Sequence, residues 1–342
     1  VKILITGGAG YIGNVLINKL FQAKHNQVNL SFYDNIRFPY LDDTYDKLSH
    51  YIHFDELQVY DNLMYKQVCL TDHAYRKDFN FTNEDVRDSQ ELKKHLSKAD
   101  VIIPLAAIVG FPACEKDPHR AYQTNYEQVK FILDNTSKDQ KIIFPNTNSG
   151  YGLGQGTLEC TEETPIKPIS VYGNTKCDAE KLLLDSGRAI TLRLATVFGV
   201  SPRMRLDLLV NDFVYKAVND GYIVLFEKDF KRNYIHIQDV ALTFVYMIND
   251  YEKHVGQTFN VGLSDANLTK LELCEKIKEQ VPNFVIKYDD FKEDPDKRNY
   301  IVSNAKLEAT GWKPHYSIES GITELIKAYT IISNYNKKFT NL

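Results

Sequence analysis

The strand-like run Lys2-Ile3-Leu4-Ile5-Thr6 passes directly into glycines at 7, 8, 10 and 13, and then into an amphipathic stretch marked by Val15, Leu16, Ile17, Leu20 and Phe21. Gly8-Ala9-Gly10-Tyr11-Ile12-Gly13 satisfies G-x-G-x-x-G, and Gly7 adds an overlapping G-x-x-G-x-x-G. The pattern alone is a weak signal; the strand before it and the helix after it give it force. One glycine makes the tight turn, and another removes the β-carbon where backbone N–H groups must approach a diphosphate. The last lets the helix pack on the strand, and the helix N-terminus faces the negative charge.

The rest of the first half repeats the alternation of short apolar runs with longer amphipathic ones, the pattern of a parallel sheet wrapped in helices. Further strands are predicted at 101–103, 141–144 and 189–194, with helices over about 119–137 and 171–185. After Gly199 the segments shorten and mix: a helix around 206–219, a strand at 223–226, a helix over 238–250, a strand at 258–261, and helices over 270–280 and 318–332. The expected fold is therefore α/β, a Rossmann-type doubly wound parallel sheet over 1–199 with a smaller mixed α/β lobe over 200–335. Some elements are expected to cross between the two. An insertion at about 29–56, rich in aromatic and acidic side chains, lengthens the first half; Tyr-Asp-Asn occurs at both 33–35 and 60–62.

Composition sets limits on function. With 342 residues, 43% hydrophobic and 25% charged, the chain can build a core and is not disordered throughout. Its net charge of −4 gives no general attraction to nucleic acid or anionic membrane. The five cysteines (Cys69, Cys114, Cys160, Cys177, Cys274) include no C-x-x-C pair, so neither a zinc ribbon nor a disulfide framework is expected, and no metal site. Reduced thiols, no targeting segment and no membrane-length apolar run point to a cytoplasmic protein.

Tyr172-Gly-Asn-Thr-Lys176 puts a phenol and an ammonium four residues apart on one helical face, just after Pro165 and Pro168. A nearby ammonium favours phenolate, as a general base for a sugar hydroxyl requires. Upstream, the strand ending at Pro145 leads to Thr147, whose hydroxyl would face the crevice at the sheet's carboxyl end. A pair of this kind is usually a solvated face; the glycine turn is what makes it a catalytic candidate.

Together these residues resemble the extended short-chain dehydrogenase/reductase family of NAD-dependent nucleotide-sugar epimerases and dehydratases, over nearly the whole chain. The resemblance implies NAD as cofactor, a nucleotide-diphosphate sugar as substrate and a homodimer formed through the helices at 119–137 and 171–185. It assigns Gly7, Gly10, Tyr11, Ile12 and Gly13 to the cofactor turn, Asp85 and Val86 to adenine contact, Leu105, Ala106 and Ala107 to the fourth strand's motif, and Asn125 to the recurring helix asparagine. Thr147, Tyr172 and Lys176 match the catalytic trio. An acid ending the second strand would bind the adenosine ribose and favour NAD over NADP. Asp34 stands at about the usual interval of roughly 20 residues after the last glycine. Asp61-Asn62-Leu63 instead fits the family register ahead of Asp85-Val86-Arg87-Asp88, so Asp61 is preferred, with Asn62 beside it.

Substrate contacts carried over by the resemblance are Arg232 and Arg298, for the substrate diphosphate, and Thr196, where many members have a sugar-contacting asparagine. Asn148 and Ser149 flank the reacting sugar, and Arg203 lies in Ser201-Pro-Arg-Met-Arg205. A structural role is expected for His236 and for Cys177, and a surface pairing is the ordinary fate of a lobe arginine such as Arg205. Pro104 replaces a common histidine, and Glu227-Lys-Asp-Phe replaces a glycine-containing turn. Asn146–152, 194–199, 201–209 and 294–298 are similar to a narrower subgroup near the GDP-heptose 4-dehydrogenases.

Asn148 and Ser149 stand where a 4,6-dehydratase would need Asp and Glu, and neither protonates a leaving hydroxyl at neutral pH. A 3,5-epimerase of the family would carry cysteine at 149. The expectation is therefore oxidation at sugar C4, as a UDP-glucose 4-epimerase-like enzyme. The alternatives are a 4-dehydrogenase that releases the keto sugar, and a non-catalytic NAD-sensing protein on the same fold.

Overall fold

The computed structural model describes residues 1–25, 52–154, 156, 158–289 and 298–332. Most of the expected insertion at 29–56, with Tyr33-Asp34-Asn35, lies outside the described residues. Seven strands form one sheet: β1 (Lys2–Thr6), β2 (Glu56–Tyr60), β3 (Phe79–Thr82), β4 (Val101–Pro104), β5 (Lys141–Thr147), β6 (Ala189–Leu194) and β7 (Thr258–Val261). Every pairing between them is parallel, in the order β7-β6-β5-β4-β1-β2-β3. The last strand comes from beyond residue 199, so the C-terminal half completes the N-terminal sheet.

Side chains alternate across these strands and fill two cores. Leu4, Ile102, Ile142 and Phe144 point to one face, covered by Leu92 and Leu96 of helix Ser89–Leu96, Val129 and Ile132 of helix Gln128–Asp134, and Ala179 and Leu183 of helix Val171–Asp185. Ile3, Ile5, Val101, Ile103 and Ile143 point to the other, where helix Tyr11–His25 packs against helix Ile237–Asn249. The second core runs on without a break into the lobe through Phe198, Tyr234, Phe244 and Leu325. Among the described residues, no helix is long and apolar enough to cross a membrane.

The helix expected at 206–219 begins later, at Leu209, because Arg205 and Asp207 hold the preceding segment in a loop through their ion pair. It then passes into a π turn, Lys216–Asp220. The helix expected over 119–137 likewise carries a π turn, Gln123–Glu127, between two α segments.

One strand breaks the apolar rule. Arg193, in the fully buried β6, pairs with Glu180 of helix Val171–Asp185 at 2.6 Å, the two side chains 6% and 2% exposed. Its Nη1 donates to both the Tyr151 hydroxyl at 2.9 Å and the Glu162 carbonyl at 3.1 Å, while Asn146 Nδ2 donates to Glu180 at 2.6 Å. Removing one partner leaves a buried charge uncompensated. Glu180→Ala should therefore cost about 3–5 kcal/mol in urea unfolding, and Glu180→Leu combined with Arg193→Leu should recover most of it. A single-variant loss below about 1 kcal/mol would place the pair at a solvated surface instead.

Candidate active site

Strand order reverses between β1 and β4, and a cleft opens at their carboxyl ends. Gly7 has φ +71°, and a β-carbon there would lie 2.5 Å from the Ala106 backbone nitrogen; one on Gly13 would lie 2.5 Å from the Gly8 carbonyl oxygen. Gly10 N–H closes the turn on the Gly7 carbonyl at 3.1 Å. Helix Tyr11–His25 starts at once with no acid in its first turn, so the positive end of its dipole stays turned to the cleft. This narrow, side-chain-free cradle fits the diphosphate of a dinucleotide.

Asp61 follows β2, is 7% exposed and accepts from Ala9 N–H at 3.0 Å and Leu63 N–H at 2.8 Å. Burial raises its pKa, and the two N–H bonds oppose that shift. Asn62 donates to Asp85 at 3.0 Å, and Arg87 grips Asp85 at 2.9 Å through two nitrogens, holding that carboxyl down at about 2. Val86, Leu105, Ala106 and Ala107 complete this wall of the cleft. Asn125 stands behind it: its amide accepts from Ile108 N–H at 2.8 Å and donates to the Ile108 carbonyl at 3.0 Å and to Thr175 at 3.2 Å. Asp34, the other candidate acid, lies outside the described residues.

The far end of the cleft is built by β5 and helix Val171–Asp185. Thr147 ends β5, and its hydroxyl accepts from Ser149 N–H at 3.1 Å, capping the short 3-10 turn Asn148–Tyr151. Ser170 caps the helix by accepting from Gly173 N–H at 3.1 Å, which presents Tyr172 and Lys176 on the cleft side. Burial pushes the Tyr172 phenol up to about 12, while Arg205, Arg298 and the nearby Thr147 hydroxyl draw it down.

Lys176 is 4% exposed, with its ammonium 3.9 Å from the centre of the Phe144 ring, and burial lowers its pKa to about 7. The sequence predicts a phenol lowered by its ammonium neighbour. Here the phenol is raised instead, because desolvation is the largest influence on both groups and each charged form is costly in the closed cleft.

The expected substrate contacts divide. Ser149 Oγ lies 2.9 Å from Thr147 Oγ1, and Arg298 Nη1 bonds the same Ser149 hydroxyl, so Arg298 reaches the hydroxyl chain that leads to Tyr172. Asn148 is 1% exposed, and its amide nitrogen and oxygen have no hydrogen-bond partner among the described residues. Thr196 opens a short strand, Thr196–Phe198, pairing with Tyr234 of strand Lys231–His236. Arg232, in that neighbouring strand, is buried with its guanidinium 5.6 Å from the Tyr300 ring centre. Arg203, expected as a substrate contact, lines the same cleft as the glycine turn, together with Arg205. His236 bonds Glu324 at 2.6 Å, and Cys177 is buried against Gly150.

Met64, Tyr65, Gln67 and Arg120 also line the cleft and were not identified from the sequence. The first three follow Asp61-Asn62-Leu63, where Leu63 (φ 49°) and Lys66 (φ 54°) fold the chain back. A strand-ending acid followed by a turn was the signal available for them. Among the described residues, no group of three or more His, Cys, Asp or Glu side chains could hold a metal.

The profile of the NAD dependent epimerase/dehydratase family matches residues 3–262. The chain is 26% identical over 337 residues to the low-salt glycan biosynthesis protein Agl12 of Haloferax volcanii, covering 96% of this chain and 98% of that one. It is 26% identical over 338 residues to the uncharacterized UDP-glucose epimerase YtcB of Bacillus subtilis, covering 95% and 96%. In structure it is similar to the UDP-glucose 4-epimerase of Thermotoga maritima with UDP-glucose (TM-score 0.77, 22% identity, covering 98% and 100%). It is also similar to the dTDP-glucose 4,6-dehydratase DesIV of Streptomyces venezuelae with NAD and TYD (TM-score 0.79, 20% identity, covering 99% and 100%). The family match spans the glycine turn, the acid ending β2 and the helix of Tyr172 and Lys176, as the sequence resemblance predicts. With both ends of its cleft inside that match, the chain belongs to the NAD dependent epimerase/dehydratase family, and its cofactor is NAD.

Proposed function

We propose that this protein oxidises the C4 hydroxyl of a nucleotide-diphosphate sugar and returns the hydride to the opposite face, acting as a 4-epimerase. The observation that carries the reading is that Tyr172 and Lys176, one helical turn apart, line the same cleft as the glycine turn, with the Thr147 hydroxyl near enough to draw the Tyr172 pKa down. NAD, when bound, supplies the hydride acceptor and, in its oxidised form, a positive charge on the nicotinamide ring. The glycine turn and helix N-terminus would hold its diphosphate, and Asp61 its adenosine ribose.

Tyr172 takes the 4-hydroxyl proton as C4 becomes a ketone, while Thr147 holds the same oxygen in line. A phenol resting near 12 is a poor base at neutral pH, so it needs added positive charge at the moment of reaction. Lys176 supplies part of that charge whenever it is protonated, and Arg298 adds to it through Ser149 and Thr147. Tyr172 then returns the proton when the rotated keto sugar is reduced. Neither Asn148 nor Ser149 can protonate a leaving C6 hydroxyl, which argues against dehydration.

A second reading, a 4-dehydrogenase that releases its keto sugar, draws on the likeness of 146–152, 201–209 and 294–298 to the GDP-heptose 4-dehydrogenases. Relatives named as UDP-glucose 4-epimerases, such as that of Lactobacillus helveticus (24% identical over 346 residues), support the first. Incubation with UDP-glucose, UDP-galactose, GDP-mannose and GDP-heptose separates them. Inverted sugar without lasting NADH absorbance is the expected result; keto sugar with stoichiometric NADH would favour the second reading, and neither product from any of these sugars would defeat both.

Tyr172→Phe should lower kcat by roughly a hundredfold to ten-thousandfold with NAD still bound, the range for losing a general base. An undiminished kcat would remove Tyr172 from the mechanism.

Lys176 yields a stability prediction with a definite sign. Its pKa falls from 10.5 to about 7 on folding, so between those values the unfolded chain holds a proton that the folded one lacks. Stability then rises with pH across that window, and the penalty for burying the ammonium is fully present below about pH 7. In protein stripped of cofactor, Lys176→Met should raise the urea midpoint at pH 6 and change it little at pH 10.5, while abolishing turnover. A variant destabilised equally at both pH values would contradict this.

A further inference from the structure

We infer that Arg203 and Arg205 form the second half of the cofactor's diphosphate site, gripping it from the C-terminal lobe opposite the glycine turn. The inference holds whichever fate the keto sugar has. It rests first on how the loop after the strand Thr196–Phe198 is anchored. Tyr11, the first residue of the glycine-turn helix, donates its hydroxyl to the Gly199 carbonyl at 2.6 Å, and Ser201 Oγ donates to the Tyr11 carbonyl at 2.8 Å. Asn211 donates from its amide nitrogen to the Tyr11 hydroxyl at 3.2 Å and to the Arg205 carbonyl at 2.8 Å, and its oxygen accepts from Gly199 N–H at 3.1 Å. Tyr11, Ser201 and Asn211 are all buried. These bonds hold the backbone that carries both arginines against the helix turn that faces the diphosphate.

Charge and burial supply the second argument. Arg203 and Arg205 are 3% and 9% exposed, yet both line the cleft with Gly10, Gly13 and Asp61. Asp207 pairs with Arg205, Nε to Oδ1 at 3.2 Å, while the Arg203 guanidinium lies 4.9 Å from the Tyr65 ring centre. Burial and the neighbouring Arg205 charge together pull Arg203 below its usual pKa. Both guanidinium groups line the cleft of the glycine turn, and their planar forks suit the oxygens of a diphosphate held there.

Position favours the cofactor diphosphate over that of the substrate. Arg298 is engaged with Ser149 and Arg232 lies under Tyr300, both apart from the residues lining the cofactor cleft. Arg203 and Arg205 instead share the cleft with Asp61 at one end and Tyr172 at the other, the interval a dinucleotide's diphosphate must span. Tyr65, stacked on Arg203, joins the segment after β2 to the lobe loop across that interval, so the grip also slows exchange of the cofactor.

The test is NAD retention. Arg203→Gln and Arg205→Gln, purified with NAD, should lose it on desalting faster than the parent. Their NAD dissociation constants should rise roughly tenfold to a hundredfold, the worth of one or two charge-assisted bonds. Affinity for UDP and GDP, titrated into NAD-saturated protein, should stay within about twofold of the parent. Unchanged NAD affinity would overturn the proposal. So would a fall in UDP or GDP affinity with NAD retained, which would return these arginines to the substrate. If Arg203→Gln does not fold, Arg203→Lys keeps the charge but loses the fork and should show the same selective weakening at smaller amplitude.

Discussion

The backbone of Gly7 passes so close to that of Ala106 that no β-carbon fits between them. That approach ties the end of β1 to the end of β4, the two strands between which the sheet reverses its order. It sets where helix Tyr11–His25 begins and therefore where a positive helix end meets the cleft. Asp61, Asp85 and the segment 105–107 take their places around the same point, because β1, β2 and β4 are in register there. A side chain at residue 7 would push these strands apart and lose the diphosphate cradle with them.

Burial makes the other end of the cleft chemically active. Tyr172 and Lys176 are driven toward their neutral forms by the same closed surroundings, so neither is poised for chemistry by its partner alone. The groups that favour phenolate come from separated parts of the chain: Thr147 from β5, Arg298 from the C-terminal lobe through Ser149, and Arg205 from the loop after the strand Thr196–Phe198. On the proposed mechanism an oxidised cofactor would add a further positive charge when a base is required. In that reading the base stays quiet until the site is loaded, in keeping with the high cost of isolated charge in a low-dielectric cleft.

Much of this was legible in the chain. The glycine spacing, the five-residue apolar strand before it and the Tyr172/Lys176 interval depend on neighbours within one or two turns, so local chemistry specifies them. The strand at 258–261 and the helix at 171–185 matched their predicted bounds for the same reason: Ser170 caps the helix, with Pro165 and Pro168 just upstream. Boundaries failed where a side chain far along the chain, or a nearby ion pair, held a segment out of its helix, as at 206–208. The buried Arg193–Glu180 pair gave no warning, since a charged residue within an apolar run reads as an edge or a solvated face.

The sequence by itself determined the fold class, the glycine turn and the pairing of Tyr172 with Lys176 as candidates for catalysis, because each is encoded by residues close together along one strand or helix. Only the tertiary structure decided that Arg203 and Arg205 line the glycine-turn cleft while Arg298 reaches Ser149, and that a lysine expected to activate its tyrosine rests over Phe144. Guanidinium and ammonium groups ride on long side chains whose destination is set by packing between distant segments. Desolvation, which governs their charge, exists only once those segments have closed together.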